Sequence, residues 1–190
     1  RLREVRAKRP PPLRDDKLLV GWNGLAISAL AQAGLVLDRD DYLVKAEATA
    51  RFVLEHMRNG DRLRRSEAFG KLQDEAFLDD YAYFIAGLLD LYEATGDPRW
   101  LADAYKLDEV AERDFEDPAG GFFFTANHHE KLLIRQKPVA DTARPSANGV
   151  MVKNLARLAA FNTGGNHLAR AQLALSTFAA DITRNPSTVP

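Results

Sequence analysis

Apolar residues along this chain recur at helical spacing in long stretches, and the stretches are of two alternating kinds. From Asn23 to Ala33, Asp79 to Ala94 and Ser146 to Phe161 the pattern is apolar nearly all round. Leu25, Ala26, Ile27, Ala29 and Leu30 carry it in the first of these, and Ile85, Ala86, Leu88, Leu89 and Leu91 in the second. A helix without a wide polar face is one enclosed by other helices. Tyr42 to Met57 and Trp100 to Arg113 instead carry charged faces, with Lys45, Glu47, Arg51 and Glu55 on the former. One side of each therefore meets water. Inner and outer helices alternate.

The alternation is a repeat. Leu43-x-x-Ala46, Leu101-x-x-Ala104 and Leu168-x-x-Ala171 stand at equivalent places, and thirteen residues upstream of each Leu lie Leu30, Leu88 and Leu155. Self-similarity of this kind marks a supersecondary unit used several times. Short connectors join inner to outer helices: Gly34 to Asp41, Thr95-Gly96-Asp97-Pro98 and Thr163-Gly164-Gly165-Asn166. Glycine ends a helix cheaply, and Asp followed by Pro caps and opens the next. The expectation is an all-α chain, one domain over residues 1–190, forming part of an α/α toroid. A lead-in covers residues 1–21, and hairpins cover about 22–58, 78–114 and 146–184. Three hairpins leave such a ring open. Its apolar edges are covered either by hairpins outside this chain or by a partner chain, because exposed apolar surface costs about 25 cal/mol per Å². The alternative is a six-helix bundle closed on itself.

Two long connectors lead from an outer helix back to an inner one. The first runs from Asn59 through Arg62-Leu63-Arg64-Arg65-Ser66 to Ala76. The second contains Asp117-Pro118-Ala119-Gly120-Gly121-Phe122-Phe123-Phe124-Thr125 and Lys131-Leu132-Leu133-Ile134-Arg135, which reads as a β-hairpin around Asn127-His128-His129-Glu130. Long loops on a rigid helical frame are where binding groups sit.

Composition narrows the function. The 190 residues are 46% hydrophobic and 28% charged with a formal net charge of −1, which argues against a general nucleic-acid binder. The basic stretch Arg1, Arg3, Arg6, Lys8 and Arg9 before Pro10-Pro11-Pro12 reads as a linker or helix end feeding a stiff turn. No stretch reads as a membrane span. Cysteine is absent, which removes disulfides, thiolate metal sites and cysteine nucleophiles and fits a cytoplasmic setting. The chain opens on Arg1 with no initiator Met, as a piece of a longer polypeptide does. No P-loop, dinucleotide fingerprint or nucleophile elbow is present, and no cofactor is expected.

If all inner helices point the same way, their N-termini gather at one mouth with Trp22-Asn23, Asp79-Asp80-Tyr81 and Ser146-Asn148 around it. Carboxylates, amides and an aromatic ring suit a carbohydrate ligand. Trp22 would stack on a sugar ring or fill the core, Tyr81 would join the substrate-binding residues, Asn23 and Asn148 would hold hydroxyls, and Asp80 would transfer a proton. The competing role for Asp79, Asp80 and Ser146 is capping, since their oxygens accept unpaired backbone N–H groups. Adjacent residues project about 100° apart on a helix, so one of Asp79 and Asp80 faces the mouth, and Asp80 is the one assigned. A glycoside hydrolase needs a second carboxylate, from Asp15, Asp16, Asp141 or beyond this chain. Asp16 and Lys17 reach the mouth or form a surface ion cluster; Asp141 and Arg144, fixed by Pro145, lie over it or pair with each other. No metal site is assigned, because His128 and His129 are adjacent in a loop and rarely chelate one ion together.

Three stretches resemble the spermatogenesis-associated-protein/thioredoxin-domain-containing family. They are Asp15-Asp16-Lys17-x-Leu19-x-x-Trp22-Asn23-Gly24-Leu25, then Leu78-Asp79-Asp80-Tyr81-Ala82 with Gly87-Leu88-Leu89-Asp90-Leu91-Tyr92-Glu93-Ala94-Thr95-Gly96, then Pro145-Ser146-x-Asn148 with Asn154-Leu155. The resemblance implies a thioredoxin-like domain preceding a six-hairpin-glycosidase-like barrel, the latter similar to N-acylglucosamine 2-epimerases and cellobiose epimerases. This chain has no thioredoxin-like part and no cysteine, so no redox function carries over. A sugar epimerase or isomerase, or a glycoside hydrolase, is the implied activity; the rival is a non-catalytic scaffold for a peptide or protein. Epimerases of this fold use a His pair. His56, His128, His129 and His167 begin no inner helix, so that pair lies outside the chain or the protein is not an epimerase.

Overall fold

A computed structural model describes residues 2–10, 14–161 and 165–186. A short helix α1 (Leu2–Ala7) and strand β1 (Leu18–Leu19) precede three helical hairpins. These are α2 (Val20–Leu37) with α3 (Asp40–His56), α4 (Leu78–Thr95) with α5 (Pro98–Phe115), and α6 (Ala147–Phe161) with α7 (His167–Arg184). The all-α, α/α architecture read from the repeat is the one the chain forms. Pro11, Pro12 and Leu13 of the lead-in and Asn162, Thr163 and Gly164 of the third connector lie outside the described residues.

The inner helices α2, α4 and α6 are parallel, as their contacts show. Gly21 meets Asp80 and Ser28 meets Asp90, so α2 and α4 advance together. The Asn154 amide donates to the Ala82 carbonyl at 2.8 Å and Arg157 reaches Asp90 at 2.7 Å, so α6 advances with them. Central α4 is buried from Leu78 through Ile85 and again from Gly87 to Leu91. Close approach of α2 and α4 depends on glycine. A Cβ on Gly24 would lie 2.5 Å from the Tyr83 carbonyl carbon, and one on Gly87 would lie 2.7 Å from the Gly24 oxygen. Asp90 ties the three inner helices deep in the stack, accepting from Ser28, Gln32 (3.1 Å) and Arg157.

The ring is an arc. Inner α4 packs on both α2 and α6, and each inner helix packs on its own outer helix, but no extensive packing joins α2 or α3 to α6 or α7. This excludes a bundle closed on itself. Apolar side chains remain exposed at both ends of the arc, Leu35, Val36 and Leu37 on α2 and Leu168, Leu173 and Leu175 on α7. Contrary to the sequence expectation that no stretch reads as a membrane span, helix α2 has no charged residue and is long and apolar enough, by length and composition, to cross a bilayer. In this fold its inward face, Gly21, Gly24, Ile27 and Ala31, is packed against the neighbouring helices.

The β-structure differs from the expectation in place. It forms in the first long connector as β2 (Arg58–Asn59) with β3 (Arg62–Leu63) and β4 (Ser66–Ala68) with β5 (Lys71–Gln73), and β1 adds to β4. Phe69 (φ 52) and Gly70 (φ 72) form the two-residue turn between β4 and β5, and paired left-handed residues match the twist of a hairpin. In the second connector the expected β-hairpin is absent. Gly120 and Gly121 turn the chain back tightly onto Asp117, leaving one bridge, Glu116 to Phe122. Beyond it, Leu132, Leu133 and Ile134 extend into solvent.

Candidate functional site at the mouth of the inner helices

Both long connectors and the N-termini of α2, α4 and α6 lie at one end. Helix α2 starts earlier than the sequence indicated: the Val20 N–H donates to the Arg65 carbonyl at 3.0 Å. Trp22 and Asn23 therefore fall in its first turn. Trp22 points outward and is 58% exposed, while the Asn23 amide donates to the Leu19 carbonyl at 2.8 Å. Helix α4 is capped by Phe77, so Asp79 and Asp80 also lie inside the first turn. Ser146 caps α6, its hydroxyl accepting from the Gly149 N–H at 3.3 Å. Its own N–H donates to Asp141 at 2.7 Å.

The two aspartates divide their work. Asp80 accepts from the Gly21 N–H on one oxygen (3.1 Å) and from the Phe77 N–H on the other (3.0 Å). Asp79 accepts from Arg144 at 2.6 Å. Nη1 of Arg65 bridges them, 3.3 Å from Asp79 and 3.0 Å from Asp80. Burial first, then the neighbouring Asp79 charge, pushes the Asp80 pKa up to about 6, against the opposing pull of Arg65 and the two backbone N–H groups. Arg65 is held further by stacking over the Phe77 ring, 4.6 Å from its centre.

Two depressions flank this ionic bridge. One, about 350 Å³, is lined by Trp22, Arg65, Lys17, Asp15, Ser66 and Gln73. The other, about 180 Å³, has Asp79, Tyr83, Phe124 and Arg144 among its walls. Asp79, the neighbour of the assigned Asp80, thus borders a cleft, and Asp80 sits beneath backbone donors. Burial raises the Tyr83 hydroxyl pKa, and that hydroxyl donates to the Pro145 carbonyl.

Several sequence-assigned residues turn elsewhere. Tyr81 is buried, its hydroxyl accepting from the Leu63 N–H at 2.9 Å, and burial pushes its pKa up to about 12. Asn148 is fully buried; it accepts from the Phe122 N–H at 2.8 Å and donates to the Phe122 and Pro138 carbonyls. These two side chains brace the connectors from behind and line neither depression. Lys17 reaches the larger depression but pairs with Asp15 at 3.2 Å, and Asp16 pairs with Arg14 on the surface. Arg144 pairs with Asp79 rather than with Asp141. His128 lies 3.9 Å from Asp114, whose pKa burial raises but the Arg113 and Arg62 guanidiniums drive well below the carboxylate range. His129 packs edge-on against Phe77 and Phe115. Among the described residues no group of three His, Cys, Asp or Glu could hold a metal ion.

Arg65, Gln73 and Ser66 are the mouth residues that the pattern did not single out. The only signal was the basic run Arg62-Leu63-Arg64-Arg65, of which Arg62 lies in β3 and Arg64 and Arg65 in the link between β3 and β4. Arg62 goes to Asp114, Arg64 to Asp74 and the Arg58 carbonyl, and Arg65 to the mouth.

No family model matches this sequence. The chain is homologous to spermatogenesis-associated protein 20 of Mus musculus, at 33% identity over all of this chain and 26% of that protein. It spans about a quarter of the length of the curated relatives it matches. Among solved structures it is similar to cellobiose 2-epimerase from Bacillus thermoamylovorans, with a TM-score of 0.69 at 16% identity over 86% of this chain and 45% of that one. It is also similar to an α-1,6-mannanase of Salegentibacter, TM-score 0.68 at 14% identity over 92% and 49%. That structure is an inactive variant with two consecutive aspartates changed to asparagine, in complex with α-1,6-mannotriose. The likeness is one of fold, an α/α toroid of which this chain supplies about half.

Proposed function

We propose that this chain is part of the barrel of a longer protein of the spermatogenesis-associated-protein family, and that the mouth of its inner helices binds and transforms a carbohydrate. The reading is a sugar epimerase or isomerase, or a glycoside hydrolase. Hairpins outside this chain, or a partner chain, complete the ring at its two apolar edges. The observation that carries the reading is Trp22, an exposed indole beside Arg65 and Gln73 at the end where three helix N-termini meet. A flat aromatic face rimmed by planar donors and acceptors is suited to stack a pyranose and bind its hydroxyls. Asp79 and Asp80 are consecutive, as are the two aspartates replaced in the inactive variant of the similarly folded mannanase. Asp79 borders the cleft, and Asp80, buried with a pKa of about 6, is the proton-holding member of the pair.

Saturation-transfer NMR against a panel of disaccharides tests the binding step. Contacts to the Trp22 indole support it, and their absence across the panel overturns it. Turnover by Asp79→Asn and Asp80→Asn variants tests the chemistry on any sugar that is processed. The rival, a scaffold without catalysis, is favoured by the apolar segment Leu132-Leu133-Ile134 beside Phe124, where a depression of about 560 Å³ lies open to a peptide.

A further inference from the structure

We propose that the Trp22 depression selects an acidic sugar, a hexuronate whose carboxylate is held side-on by the Arg65 guanidinium while its ring lies on the indole. This rests on the carbohydrate reading above and adds the substrate class.

The geometry of Arg65 is the reason. Its Nη1 is committed to Asp79 and Asp80, and its plane is fixed over Phe77. Among the described residues Nε and Nη2 have no protein acceptor, and neither is sealed from solvent without a partner. The free edge of the group is therefore the Nε/Nη2 pair, two parallel N–H donors spaced for the two oxygens of a carboxylate. That side chain lines the same depression as Trp22. Immobilising a guanidinium from behind removes the rotamer entropy that a free arginine loses on binding, so the fork is preorganised.

Charge alone does not account for selection. Asp15 and Lys17 on the rim are paired with each other, and Arg65 is balanced from behind by Asp79 and Asp80. A neutral sugar keeps the Trp22 face but leaves the Arg65 edge with water. The acid gains two charge-assisted hydrogen bonds. Arg144 is a contrasting case: it too binds Asp79 through Nη1, but it lines the smaller depression, which has no exposed indole.

The test compares a glucuronate-containing disaccharide with its carboxyl-reduced, glucose-containing counterpart by titration calorimetry on the purified protein, following the Trp22 indole resonance in parallel. The acid is expected to bind about tenfold more tightly, the equivalent of about 1.4 kcal/mol. Arg65→Lys, which keeps the charge but not the fork, is expected to bring the two affinities within about twofold of each other. Trp22→Ala is expected to weaken both sugars alike. Equal affinity of the wild-type protein for acid and reduced sugar, both shifting Trp22, overturns the acidic-sugar proposal and leaves the carbohydrate reading standing. No response to either sugar, nor to the neutral disaccharide panel, overturns both. Because the wild-type comparison needs no variant, the proposal remains falsifiable even if Arg65→Lys fails to fold.

Discussion

The Gly21 N–H donates to the Asp80 carboxylate across 3.1 Å, so one side chain joins the first turns of α2 and α4. That carboxylate also accepts from Phe77 and Arg65, and it does so while buried. Its folded pKa of about 6 lies above the ordinary 3.8, so in the interval between them the folded chain holds a proton that the unfolded chain has released. Asp80 thus adds stability at acid pH and loses it as pH rises through about 6. The loss is of order 3 kcal/mol at about 1.4 kcal/mol per unit. In urea unfolding at pH 4.5 and pH 7.5, the stability difference between wild type and Asp80→Asn should change by about 2 kcal/mol, the rest of the loss falling below pH 4.5, with the variant relatively better at the higher pH. A pH-independent difference would contradict the assignment.

Close passage of α2 over α4 needs Gly24. An added methyl meets the backbone of Tyr83 at 2.5 Å, and backbone, unlike a flexible side chain, cannot step aside. Gly24→Ala is expected to cost about 1–3 kcal/mol, read as a lower urea midpoint at unchanged slope.

The α5–α7 contact contains a buried cation. Arg170 donates to Asp108 at 2.7 Å and to Glu116 at 2.7 Å, and burial raises the Asp108 pKa despite it. Arg170→Met leaves buried Asp108 with only the His167 imidazole, 3.4 Å away, beside it, an expected loss of about 3–5 kcal/mol by chemical denaturation. The exposed Arg39–Asp41 pair at the start of α3 is the control, and Arg39→Met should leave the midpoint unmoved.

Trp22 supports no packing that folding needs. Trp22→Ala should shift stability by no more than about 0.5 kcal/mol while removing the sugar-dependent change in tryptophan fluorescence. The buried Trp100 supplies the constant background signal. A large fall in stability would instead make Trp22 a structural residue.

The helical frame was legible because burial writes itself into sequence as periodicity. The all-round apolar run at Ile85–Leu91 marks the central inner helix, and the charges at Lys45, Glu47 and Arg51 mark an outer one. The mouth was less legible because it depends on register. Which of Arg62, Arg64 and Arg65 faces Asp79 is decided by where β3 and β4 begin, two or three residues of pairing that no periodicity reports. Asp79 and Asp80 are indistinguishable as letters, and the difference between them is set by Gly21 on another helix. Tyr81 and Asn148 were drawn toward the ligand by residue type, whereas the backbone groups of Leu63 and Phe122 had first claim on them.

The connectors have different lengths at the two ends of the arc. At the far end α2 passes to α3 through Asp38 and Arg39, and α4 to α5 through Gly96 and Asp97; at the mouth the returns run across residues 57–77 and 116–146. Among the described residues, spare chain length therefore collects at the mouth, where adding or exchanging it alters recognition, while the two turns at the opposite pole are two residues each. Descendants of such a frame can diversify their chemistry by rewriting the segment that carries Arg65 and Gln73, leaving the packing of the inner helices untouched.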